Sequence, residues 1–163
     1  MLGQLLIGLT VSLVNIAVHA ITMAPMSSSA SRALRRTHSA QPRLRLALVM
    51  IATVMVLMLA HFIEVGIWAL AYTVLEATPM RIDAFYFAFV NYTTLGYGDV
   101  LPVEHWRLLG PMTAMNGVLL FGWSTAVIFH ILSTVSPIRP GNSIAVDADR
   151  PITDGEAATK AGG

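Results

Sequence analysis

The chain has 163 residues, 55% of them hydrophobic and 12% charged, with a formal net charge of +1 and no cysteine. Soluble domains carry roughly 25% charged residues, so the composition points to a membrane protein and away from a soluble domain. It excludes a disulfide framework, and the absence of a long basic patch interleaved with aromatics argues against a nucleic-acid partner.

The first apolar run, Leu5 to Met23, carries no charge except a possible one on His19, and a bilayer is spanned by about 20 such residues. "VHA" before Ile21 would serve as a signal-peptide cleavage site. "MLGQ", however, has no basic n-region, so residues 1–23 read as a retained transmembrane helix. Asn15 and His19 lie one helical turn apart. They are expected to hydrogen-bond a neighbouring helix, the next span being the candidate. A metal site there is not expected, because two ligands lack a third.

Residues 24–45, rich in Ser, Ala and Arg, hold five of the ten Lys and Arg: Arg32, Arg35, Arg36, Arg43 and Arg45. A short basic loop stays in the cytoplasm. The linker is therefore expected inside, partly flexible, with the N-terminus outside and the C-terminus cytoplasmic.

The second run, Leu46 to Leu75, has one formal charge, Glu64, and defines an outer helix over 46–76. His61 and Trp68 share its face at i−3 and i+4. Glu64 reads either as a proton sensor or filter ligand, or as a hydrogen-bonded tie to the next helical segment. The tie is favoured, because a buried acid can stay protonated.

"AFYFAFVNY", Ala84 to Tyr92, is far too short to cross a bilayer at about 1.5 Å per residue. It reads as a re-entrant half-helix over 82–93. The next stretch, "TTLGYGD", is too polar and glycine-rich to continue it. Non-helical backbone at membrane depth is tolerated only where it is buried in protein or lines water. Gly96 and Gly98 permit a backbone alternating between ordinary and left-handed conformations. That would set successive carbonyls in a line, with Leu95 and Tyr97 packing behind and the Thr94 hydroxyl at the inner end. Beyond it, His105 and Trp106 suit the membrane interface. Glu76, Asp83, Asp99 and Glu104 against Arg81 and Arg107 leave two negative charges per chain on this side.

The third run, Leu108 to Val135, bears no formal charge and gives an inner helix over 104–135. Residues 136–163 have few large apolar side chains and read as a disordered cytoplasmic tail.

"TTLGYGD" resembles the selectivity filter of potassium channels, which use rings of backbone carbonyls in place of an ion's water shell. The order of outer helix, pore helix, filter and inner helix over 46–135 resembles the same family. "PVEHW" and "GVLLFGWSTA" resemble its small two-helix bacterial members. The resemblance implies an all-α membrane protein and a homotetramer in contact with lipid in the bacterial inner membrane. It further implies passive conduction, no enzymatic activity, and no cofactor beyond permeant K+. Thr94, Leu95, Gly96, Tyr97 and Gly98 would form the filter, with K+ at Thr94 to Tyr97 and Asp99 at the mouth. The first helix is additional to the two-helix plan. Val90 stands where some relatives place a glutamate that braces the filter aspartate, and Phe87 stands where those relatives carry tryptophan.

On the inner helix, Gly117, Phe121, Thr125, Ile128 and Leu132 fall on one face, which is expected to line the pore. Ile128, Phe129 and Leu132 would form an apolar gate that closes by dewetting, and Gly117 or Gly122 would be the weak point that lets the helix swing. His130 would lie beside the constriction as a pH sensor, or face the outer helix or lipid headgroups. The competing functions are a weakly selective cation channel, a subunit of a potassium uptake transporter, and a non-conducting accessory protein.

Overall fold

The structure, a computed structural model, describes residues 1–36, 42–78 and 83–135. They form four helices: α1 (Leu2–Arg36), α2 (Pro42–Val74), α3 (Asp83–Tyr92) and α4 (Leu109–Val135), with a 3-10 turn at Glu104–Trp106 before α4. Among the described residues there is no strand. Three segments are long and apolar enough to cross a membrane: Leu2–Met26, Arg43–Val74 and Glu104–Ser133. The chain is thus an all-α, multi-pass membrane protein.

Contacts fix the relative directions. The Gln4 amide donates to the His105 carbonyl at one end of the bundle. Asn15 meets Asn116 at mid-length, 3.0 Å apart, and Met23 and Met26 pack with Ile131 at the other end. α1 therefore runs parallel to α4. α2 runs opposite to both, since Leu57 joins the Met23 cluster while the Tyr72 hydroxyl donates to the Leu109 carbonyl at 3.2 Å.

α1 does not stop at Met23. It continues through Pro25 to Arg36, so the stretch expected as a linker from residue 24 is helical over its first half. A proline inside a helix removes one backbone bond and clashes with the preceding turn. Here Met23 and Met26 are packed on either side of Pro25, and Ala, Leu and Arg further on are strong helix formers. α2 starts at Pro42, four residues before the expected 46, since proline suits a first helical position. α4 starts at Leu109, and residues 104–106 form only the 3-10 turn. The expected tail, 136–163, lies outside the described residues.

Lipid removes the hydrophobic drive for helix association, leaving close packing and interhelical hydrogen bonds to hold the bundle. The burial pattern fits. Leu9, Leu13, Ile51, Met55 and Leu59 are exposed, while Asn15, His19, Glu64, Thr113, Asn116 and Ser124 are buried. The Asn116 side-chain oxygen accepts from both Asn15 of α1 and the Trp68 indole of α2, each at 3.0 Å. Trp68, Tyr72, Tyr92 and Leu109 form the buried centre, with Phe87 of α3 set edge-on against Tyr72 at 4.9 Å. That core fixes the short α3 against the long helices and so determines where its C-terminus points.

Candidate functional site

α3 ends in a Schellman motif. Leu95 N–H bonds the Val90 carbonyl at 2.9 Å and Thr94 N–H bonds the Asn91 carbonyl at 2.9 Å, which requires a left-handed residue at the position after the cap. Glycine usually fills that position. Here it is Thr94, with φ of 62°, an outlier conformation for a β-branched residue. Strain of this kind costs of order 1–3 kcal/mol and persists where the surroundings hold it. α2 closes in the same way, with Glu76 at φ 51° and the Ala77 N–H bonded to the Tyr72 carbonyl at 2.9 Å.

After Thr94 the chain leaves regular structure. Gly96 and Gly98 have φ of 57° and 77°, so every second residue from 94 to 98 is left-handed. The alternation expected at the two glycines is present and reaches one step further back. Leu95 and Tyr97 are 54% and 67% exposed, so they do not pack behind the strip within one chain. The strip is instead backed by a cavity of about 220 Å³ against α3 and the start of α4.

Asp99 is held by a residue the sequence reading missed. Tyr86 donates its hydroxyl to Asp99 Oδ2 at 2.7 Å, while Val90 is buried and apolar. Accepting that bond, the Asp99 carboxylate raises the Tyr86 phenol above its ordinary value. Tyr86 lies one helical turn before Val90, and that spacing was the available signal.

Tyr92, the last residue of α3, is the second junction. Its ring is 1% exposed. Its hydroxyl donates to Glu64 Oε2 and lies 3.0 Å from His61 Nδ1. Its carbonyl carbon would lie 3.0 Å from a Cβ added at Gly117. Glu64 therefore does tie the outer helix to α3. Its other oxygen receives His19 Nδ1 of α1 at 2.7 Å, and Asn15 donates to the Glu64 backbone carbonyl at 3.3 Å. The expectation that Asn15 and His19 bond the next span is met by both residues.

The expected α4 face needs correction at two positions. Phe121, Thr125 and Leu132 are exposed, as are Gly122 and Phe129. Gly117, however, is buried against the end of α3, and Ile128 packs toward the Met23–Leu57–Ile131 cluster. The open face instead follows Met115, Val118, Gly122, Thr125 and Phe129, at helical spacing. The shift arises because the side of α4 centred between Thr113, Leu120, Ser124 and Ile131 is taken by the chain's own helices. His130 is exposed and borders a groove with Ala20, Met23, Ala24 and Trp123, on the α1 side. The two imidazoles in the buried cluster are His19 and His61.

Comparison with known proteins adds one match. A family profile described as "ion channel" covers residues 46–134, more than half of the chain. α1 lies outside that stretch. No curated protein and no solved structure shows significant similarity to the chain.

Proposed function

The chain belongs to the ion-channel family, and on that premise we propose that four copies build a pore that carries K+ passively across the membrane. One observation carries the reading. Residues 94–98 form an exposed, non-helical strip with left-handed backbone at every second position, and that strip starts at membrane depth. Its depth follows from Tyr92, which bonds Glu64 well inside α2 and abuts Gly117 well inside α4. Exposed irregular backbone cannot face lipid; it must line a water-filled path or be covered by protein. Four copies around an axis satisfy both conditions. Carbonyl oxygens of Thr94, Leu95, Gly96 and Tyr97 would face the ion, and neighbouring subunits would cover Leu95 and Tyr97. Asp99, held by Tyr86, would set the outer mouth. With the N-terminus and the mouth at the same end of the bundle, the arginine cluster around residues 32–45 orients the mouth outward.

Rubidium uptake into vesicles holding only the purified chain tests conduction, and reversal potentials in mixed K+ and Na+ test selectivity. Flux with a strong K+ preference supports the reading. Flux without it makes the chain a weakly selective cation channel, and no flux leaves an accessory or transporter subunit.

A further inference from the structure

Beyond ion selection, the membrane interior of this chain holds a cluster to which all four helices contribute. His19 comes from α1, His61 and Glu64 from α2, Tyr92 from α3 and Ser124 from α4. His19 and Glu64 side chains are fully buried and His61 is 12% exposed. No Lys or Arg occurs between residues 1 and 31, 46 and 80, or 108 and 135. An ionised carboxylate at this depth is costly unless it is paired. Among the described residues facing the cluster, the groups able to carry a compensating charge are the two imidazoles, since α3 contributes a phenol and α4 contributes Ser124, the Trp123 ring 5.3 Å from His19 and the Phe121 ring 4.7 Å from His61.

Hydrogen counting gives the charge. Glu64 takes His19 Nδ1 at 2.7 Å on one oxygen, and His61 Nδ1 at 3.0 Å together with the Tyr92 hydroxyl on the other. With Glu64 ionised, its carboxylate only accepts, so both Nδ1 atoms carry protons in that state. The opposite nitrogens, His61 Nε2 and His19 Nε2, both face Ser124 Oγ at 2.9 and 3.4 Å. One hydroxyl has one proton, so it can donate to only one of them. The other nitrogen is bonded only if it carries its own proton and donates to the serine oxygen. The fully bonded network therefore holds one proton more than a carboxylate beside two neutral imidazoles, and is neutral overall; that proton makes one imidazole an imidazolium when Glu64 is ionised, and on Glu64 it keeps the same bonds.

We propose that His19, His61 and Glu64 form a proton-binding site that positions Tyr92, and through it the strip at 94–99. His19, from the helix outside the family-matched stretch, acts as a positioning residue for the pore. Losing the proton leaves one nitrogen lone pair facing an oxygen and an uncompensated carboxylate in the bilayer. Tyr92, bonded to that carboxylate and two residues from Thr94, shifts with it. The functional half of this inference rests on reading residues 94–99 as the conducting strip.

The test uses the full chain in vesicles, with rubidium flux measured across a pH series. Flux should fall as pH rises, by at most about tenfold per unit for a single proton. His19→Asn keeps a donor at the Nδ1 position but cannot be charged, so it should shift or flatten the profile. Glu64→Gln, which needs no compensating proton, should abolish the dependence, whereas His130→Gln should leave it unchanged. Nitrogen-15 NMR of histidine-labelled chain, with carbon-13 NMR of the Glu64 carboxyl, reads the proton without flux: one imidazolium or one protonated Glu64 per chain should appear in the wild type, and no imidazolium in Glu64→Gln. That measurement stands even if the chain carries no rubidium, or if His19→Asn fails to assemble. Two neutral imidazoles beside an ionised Glu64 at neutral pH would overturn the proposal. So would an unaltered flux profile in both His19→Asn and Glu64→Gln, or one tightly bound Zn2+ per chain released by His19→Asn.

Discussion

Replacing Gly117 with alanine tests whether this glycine is a hinge or a seat. A Cβ built there lies 3.0 Å from the Tyr92 carbonyl carbon and 3.2 Å from its Cγ, and closer still to the carbonyl oxygen. Because the two nearest opposing atoms are backbone, neither a rotamer change nor a flexible chain end can relieve the contact. Either α4 or the end of α3 must move. Overpacking of this kind costs typically about 1–3 kcal/mol. Gly122, five residues on, has no atom within 4 Å of its built Cβ and serves as the reference. Both alanines gain the same helix propensity, about 1 kcal/mol, so the difference between the two variants isolates the contact. Denaturant unfolding of the purified protein in detergent should place Gly117→Ala below Gly122→Ala by about 1–3 kcal/mol. The displaced Tyr92 would carry Thr94 with it, so rubidium flux should be lost in Gly117→Ala and kept in Gly122→Ala. A stability gap under about 0.5 kcal/mol with equal flux would refute the seat, and stiffer gating without destabilisation would restore the hinge.

Gly96→Ala places a side chain at φ 57°, at a cost of roughly 1–2 kcal/mol per left-handed residue; rubidium flux should vanish while expression persists, and intact flux would remove the filter assignment. Tyr97→Asp should admit sodium, seen as a reversal potential moved toward that of a non-selective pore. Tyr86→Phe deletes the donor to Asp99 and should shorten sustained conduction without changing ion preference; unchanged decay would mean Asp99 needs no brace. The raised Tyr86 phenol makes the sign definite: it remains a protonated donor below its ordinary value of about 10, and the contact is lost only as pH rises above that, so conduction from this source should be flat through neutral pH. A cysteine at Gly3 should react with impermeant thiol reagents from outside, and one at Ser29 should not; the reverse pattern would invert the topology.

The expected elements appear in the expected order, with different ends, because the features that specify them are local. Long uncharged runs, a segment too short to span, and glycines at alternate positions each act through nearest neighbours or through lipid alone. The left-handed backbone at Gly96 and Gly98 was legible for that reason. At Thr94 it was not, because threonine disfavours that conformation and adopts it only to satisfy the Val90 and Asn91 carbonyls at the end of α3.

The remaining features depend on how the helices are registered against one another. His19 and Glu64 are 45 residues apart, and Ser124 is 105 from His19. Their meeting is decided by the depth at which α1 settles beside α2 and α4. His19 and Asn15 pointed to the next span but to no particular residue on it; packing supplied Glu64, and added Asn116 of α4. Gly117 shows the same limit, since an isolated glycine in a helix reads as weakness until the Tyr92 backbone is found against it. Sequence by itself therefore determined the spans and the conformation of the glycine strip, because lipid solvation and steric freedom belong to single residues and short segments. Which buried polar groups pair, and which face of α4 is left open, was decided only by tertiary packing, because a hydrogen bond between helices exists at one register and is lost when either helix slides by a turn.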